Sequence, residues 1–128
     1  MALILESERI RSWASPPPPG AIGGYIFVNK NILAIPYELK AGTEVEAEIS
    51  ELCDSGGDTI KELTSKKIKF ILANGSSSRD FLFISKESWE EIRDYGVILD
   101  NSYISLKIIK TSLKGNEVLI YPKRNISK

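Results

Sequence analysis

An internal repeat limits the folds open to this chain. Ile26-Phe-Val-Asn-Lys30 lies over Leu82-Phe-Ile-Ser-Lys86, so that Phe27, Val28 and Lys30 meet Phe83, Ile84 and Lys86 at an offset of 56. Further on, Leu39, Val45 and Ile49 meet Ile98, Ile104 and Ile108 at an offset of 59, which makes the second copy three residues longer in its middle. The unit reads strand, short helix or turn, small-residue turn, strand. One such unit has an alternating apolar face and nothing to bury it against, so each half must cover the other and neither is expected to fold alone. Two copies in one chain favour a monomeric pseudo-twofold barrel and leave a homodimer open.

Within the units the hydrophobic period is two. Val45, Ala47 and Ile49 alternate with Glu44, Glu46 and Glu48, the pattern of a half-buried strand. From Lys67 to Leu72, the residues Ile68, Phe70 and Leu72 share one face while Lys67 and Lys69 lie on the other. A Lys strand beside a Glu strand gains cross-strand pairs, each worth no more than about 1 kcal/mol when exposed, so they select register more than they stabilise. Further strands are expected at Tyr25–Val28, Phe81–Ile84, Tyr103–Ile109 and Glu117–Tyr121. One helix stands out, with Ser85 as its cap and Glu87, Glu90 and Glu91 near its positive end. Its apolar stripe of Trp89, Ile92 and Tyr95 is expected to face the core, and Gly96 stops it.

The second copy runs Ile84-Ser-Lys-Glu-Ser-Trp-Glu-Glu-Ile-Arg-Asp-Tyr-Gly96 and then Leu99-Asp-Asn-Ser-Tyr-Ile-Ser-Leu-Lys107; the first gives Ala34-Ile-Pro-Tyr-Glu-Leu-Lys-Ala-Gly-Thr-Glu-Val45. This unit resembles the half-repeat of the cradle-loop barrels, which include the double-psi β-barrels, such as the N-terminal domain of Cdc48-type ATPases, and the swapped-hairpin barrels of AbrB-like transcription factors. There a strand leads into a short helix, and a Gly-Asp turn opens a second alternating strand. Here Gly42-Thr43 and Asn101-Ser102 occupy the turn. The resemblance covers about residues 25–110. It implies a mainly β fold with one or two short helices, a six- or seven-stranded pseudo-twofold β-barrel of double-psi-like kind.

Before the repeat the chain reads differently. Residues 2–13 suit a short helix or strand, and Pro16-Pro-Pro-Pro19 with Gly20 and Gly23-Gly24 reads as a stiff linker, so 1–24 is expected as an N-terminal arm, 25–122 as the barrel and 123–128 as a basic tail. Trp13 would anchor the arm on the body, and the prolines could serve as a protein partner's ligand. The chain has 128 residues, one cysteine and no histidine. No Ser-His-Asp or Cys-His machinery and no ordinary His/Cys zinc site can be built from this set, and neither a cofactor nor a metal is expected. A single Cys53 suits a reducing, cytoplasmic setting. Eighteen Ile, twelve Lys and twelve Glu with no Gln resemble the bias of thermophile proteomes, pointing to a hot-environment archaeon or its virus. No apolar run approaches the roughly 18 residues of a membrane span.

Charge is balanced overall and segregated along the chain. Residues 38–62 hold eight acids against Lys40 and Lys61, whereas residues 101–128 set Lys107, Lys110, Lys114, Lys123, Arg124 and Lys128 against Glu117 alone. With Tyr103 and Tyr121 interleaved, this basic C-terminal face is the expected contact for nucleic acid or an acidic protein surface. In the loop Asn74–Asp80, Ser76, Ser77 and Arg79 are candidates to hold an anion in a backbone nest. Asp54-Ser-Gly-Gly-Asp58 reads as a polar turn, because Ser65 stands where a calcium loop needs a bidentate Glu. The leading expectation is a small non-catalytic β-barrel binding module. The alternatives are a carboxylate-based hydrolase or ligand-processing barrel using Asp94 or Asp100, and a virion or assembly component.

Overall fold

The computed structural model describes residues 3–14 and 16–113, and the backbone of 116–118. Its strands are β1 (Leu3–Ile10), β2 (Tyr25–Asn29), β3 (Glu44–Cys53), β4 (Lys67–Ala73), β5 (Arg79–Ile84), β6 (Ser102–Leu113) and β7 (Asn116–Val118), with short helices α1 (Ala34–Tyr37) and α2 (Lys86–Ile92). The sheet runs β1-β6-β3-β4-β5-β2, β7 adds to β6, and every described pair is antiparallel. Tyr25 N donates to Arg11 O at 3.0 Å and Arg11 N to Tyr25 O at 2.8 Å, which brings β2 back to the end of β1. The result is a mainly β, six-stranded, nearly closed antiparallel barrel.

The repeat accounts for this order. In an antiparallel pair related by a twofold axis, the axis passes where a residue lies opposite its own mate. Ile26 faces its mate Leu82 in β2–β5, and Glu48 faces its mate Lys107 in β3–β6. The pseudo-twofold therefore crosses two opposite walls through these two pairs. It also makes β1 the counterpart of β4: Glu8 pairs with Ile104 as Phe70 pairs with Val45, Arg9 with Tyr103 as Ile71 with Glu44, and Arg11 with Tyr25 as Ala73 with Phe81. Each half is thus strand, strand, short helix, strand.

The N-terminal segment set apart in the sequence as an arm is accordingly a sheet strand hydrogen-bonded to β6. Its pattern hides this because a bulge between Leu5 and Glu8 shifts the register. There Ser7 takes a positive φ of 51°, and its amide donates to Ser105 Oγ at 3.0 Å. The glycines expected as linker are packing points. A Cβ on Gly23 would lie 2.7 Å from the Trp89 ring, and one on Gly24 would lie 2.8 Å from Arg11 O.

Inward residues of the strands fill one core, with Phe70, Ile26, Leu82, Ile49 and Leu106 buried. Ser85 caps α2 by accepting from Ser88 N at 3.2 Å; Ile92 is fully buried and Trp89 packs against the core. Tyr95 departs from the expected stripe and is 47% exposed. The helix tightens into a 3-10 turn over Arg93–Tyr95, so Tyr95 is the last residue before Gly96, with φ 92°, ends it. Among the described residues no helix is long and apolar enough to cross a membrane.

Candidate functional site

The two walls crossed by the axis have different outer surfaces. On the β3 side, Glu46 lies between Lys69 and Lys110, and Glu48 between Lys67 and Lys107. Lys69 Nζ also reaches Glu44 Oε1 at 3.3 Å. Folding thus interleaves the acids and bases that the chain keeps apart, and Lys107 and Lys110 sit in rows that alternate in sign. Lys114, Tyr121, Lys123 and Arg124 lie outside the described residues.

On the β2–β5 side the outer surface is aromatic. Tyr25 and Phe27 pair with Phe83 and Phe81, and Trp13 packs over them with ring centroids 4.3 Å from Tyr25 and 5.3 Å from Phe81. Trp13 thus holds the preceding segment to the barrel, and its indole N–H is buried without a hydrogen-bond partner among the described residues. The prolines run back across this wall, where Pro16, Pro17 and Pro18 line an open groove of about 430 Å³ with Trp13, Tyr25 and Phe81.

At the edge of that wall the barrel opens. β4 and β5 pair over four residues, from Phe70–Ile84 to Ala73–Phe81, whereas β1 and β2 are bridged only at Arg11–Tyr25. A cavity of about 280 Å³ lies in the gap, lined by Leu5, Glu8, Arg9, Arg11, Phe27, Val28, Asn29, Ile32 and Arg79. The guanidinium carbon of Arg79 sits 4.2 Å from the Phe27 ring centroid and that of Arg11 5.1 Å from it, within the range of cation–π attraction. Arg9 is committed elsewhere, its Nε donating to Asp100 O at 3.0 Å. Among the described residues no carboxylate lies within ion-pair distance of Arg11 or Arg79. Glu8 is half-buried in the lining, and burial pushes its carboxyl above the ordinary value.

The remaining candidates fall into place around this seam. Ser76 Oγ accepts from the amides of Ser78 at 3.4 Å and Arg79 at 3.3 Å, so it closes its own turn. Ser77 is exposed in the same turn, while Arg79 leaves it for the cavity. Below the turn, Lys30 Nζ is ion-paired with the buried Asp80. Asp54 Oδ1 accepts from Gly56 N at 2.9 Å and Asp58 N at 3.0 Å, an Asx-type turn as expected. Asp94 is exposed beside Arg93. Asp100 is a clamp: it accepts from the Ser12 hydroxyl and amide, and these bonds hold its carboxyl below the ordinary value. Neither Asp94 nor Asp100 lines the seam cavity. Among the described residues no group of three metal-binding side chains gathers.

Glu8, Arg11 and Phe27 were not legible as a site in the sequence. Their signal is a mismatch, Glu8-Arg-Ile-Arg11 standing where the mate strand has Phe70-Ile-Leu-Ala73, and it becomes visible only once β1 is aligned with β4. A scan of protein-family models found no match to this chain, and searches of curated proteins and of solved structures found none either.

Proposed function

We propose that this protein is a small non-catalytic β-barrel binding module whose partner is a nucleic acid. The observation that carries this reading is the pair of guanidiniums, Arg11 and Arg79, gathered over Phe27 with no carboxylate of the described residues at ion-pair distance from either, Asp100 acting on Arg11 only from farther off. Cations with no carboxylate in contact at the mouth of a cavity, beside an aromatic wall, suit phosphates with exposed bases. The pseudo-twofold of strand, strand, helix and strand supports kinship with the cradle-loop barrels, and the Lys- and Glu-rich, Gln-free composition supports a hot-environment archaeon or its virus. The lysines of β6 are secondary contacts in this reading, since each lies beside a glutamate.

A carboxylate-based processing barrel is the second reading, and Glu8 rather than Asp94 or Asp100 would carry it. Glycoside chemistry of the usual kind needs two carboxyls flanking the bond, and Glu8 is alone in the lining. Binding is therefore favoured. The test is fluorescence anisotropy with labelled single-stranded DNA, duplex DNA and RNA at several salt concentrations. Log affinity is expected to fall linearly with log salt, by about 0.7 for each phosphate neutralised on a single strand. No binding to any of the three at low salt overturns the proposal.

A further inference from the structure

The strand that opens the seam is charged where symmetry calls for core. Phe70 is fully buried, and its mate Glu8 lines a cavity; Ala73 closes its hairpin, and its mate Arg11 turns a guanidinium to Phe27. Putting a carboxylate in the place of a core phenyl ring forfeits burial and costs desolvation. Departures of this kind, where one half keeps the rule and the other breaks it, are where function is expected.

The cavity is layered. Arg11 and Arg79 lie over the Phe27 ring on the outer face of β2, Leu5 and Val28 are apolar and buried, and Glu8 stands at the position whose mate points into the core. Asn29 Oδ1 is already occupied by the Asn31 amide at 2.8 Å, which leaves Glu8 as the carboxyl acceptor of the lining. A volume of about 280 Å³ is at the lower edge of small-molecule sites, roughly 300–1,000 Å³. That suits one planar ring system and excludes a base pair.

We infer that the seam takes a single unpaired nucleotide of a strand, with its phosphate on Arg11 and Arg79, its base against their planar faces and the apolar lining, and an exocyclic amino group donating to Glu8. This deepens the nucleic-acid reading above and rests on it. Guanidinium planes stack bases as aromatic rings do, and a carboxylate accepting from the cytosine N4 amino group is an established mode of base recognition. The ligand class is therefore a single strand carrying amino bases, cytosine first. Thymine and uracil present a carbonyl where cytosine carries its amino group, and a carbonyl opposite an ionised Glu8 is repelled.

The experiment is anisotropy at fixed salt with labelled hexamers of dC, of dT and of abasic sugar-phosphate, and with the same dC hexamer in a duplex. The wild-type chain is expected to bind dC at least about tenfold more tightly than the abasic strand or the duplex, the order of one stacked base. The dC hexamer should also be preferred to dT. Glu8→Gln should shrink the dC over dT preference while retaining affinity for the strand. Arg11→Gln with Arg79→Gln should weaken every strand, and Ile32→Trp, which fills the cavity and leaves both guanidiniums in place, should bring dC down to the abasic level. Equal binding of dC and abasic strands overturns the base pocket, and an unchanged preference in Glu8→Gln removes Glu8 as acceptor. Loss of binding in Lys107→Gln with Lys110→Gln, together with wild-type binding in the arginine variant, overturns the seam and leaves the nucleic-acid module standing. No binding of any strand fails the module itself.

Discussion

The β4–β5 hairpin and the β1–β2 pair occupy equivalent places about the pseudo-twofold and are closed to different degrees. The first is a ladder of four residue pairs over buried Phe70 and Leu72; the second is one bridge at Arg11, next to a cavity holding Glu8. The architecture therefore does not depend on closing both seams. It depends on the cross-half pairs β2–β5 and β3–β6, which carry the axis, and this leaves β1–β2 free to hold charge.

The largest effect is expected when the charge of the open seam is moved into the closed one. Phe70→Glu puts an unpaired carboxylate in the centre of the core, with an expected cost of at least about 4 kcal/mol, a large share of a small domain's stability. Circular dichroism melts would read this as loss of the cooperative transition. A mild effect would mean that the two seams are interchangeable.

A smaller effect is expected at Glu8 itself. Because burial raises the Glu8 carboxyl in the folded state, the folded chain holds that proton more tightly than the unfolded chain does. Ionisation then costs stability, which falls as pH rises from the ordinary glutamate range through the raised folded value. Glu8→Gln removes the cost, so its melting temperature should exceed that of the wild-type chain by a few degrees at neutral pH. The gap should close in acid below the ordinary range. A variant less stable than the wild-type chain at neutral pH would mean that Glu8 is stabilised by a partner in place of being strained by burial.

The smallest effect belongs to the opposite crossing of the axis. Glu48 is half-buried on the outer face between the exposed Lys67 and Lys107, and Glu48→Gln should change stability by no more than about 1 kcal/mol. Denaturant unfolding at low and high salt checks this. A loss several times larger would make that wall a structural ion network.

The strands within the repeat were legible because period-two alternation and the repeat itself specify which residues face inward. Val45, Ala47 and Ile49 are all fully buried, and Lys69 falls opposite Glu46. β1 was not legible, since Ser7 with its positive φ and the bulge beside it break the alternation, and Glu8 stands at an inward position. What Lys107 and Lys110 lie beside was not legible either: a run of like charge along the chain says nothing about the strand next to it, and here that strand brings Glu48 and Glu46. Arg79 was visible as an anion candidate, yet its partner Arg11 comes from a distant strand, a proximity set by topology.

The cross-half pairing also bears on how the chain is made. β2 finds its ladder partner in β5, β3 in β4 and β6, and β1 in β6, so apart from the Arg11–Tyr25 bridge the first half waits for sequence synthesised later. Ser7 and Ser105, joined by a hydrogen bond, are 98 residues apart, a wait of about 5–20 s at ordinary ribosomal speeds. Within that interval β3 is unpaired until β4 emerges, and its other edge stays open until β6 does, so an apolar-faced strand edge is exposed, the kind of segment that recruits neighbours on a polysome. Its alternating glutamates then serve a second purpose, as gatekeepers that keep the nascent strand soluble until its lysine-bearing partners emerge.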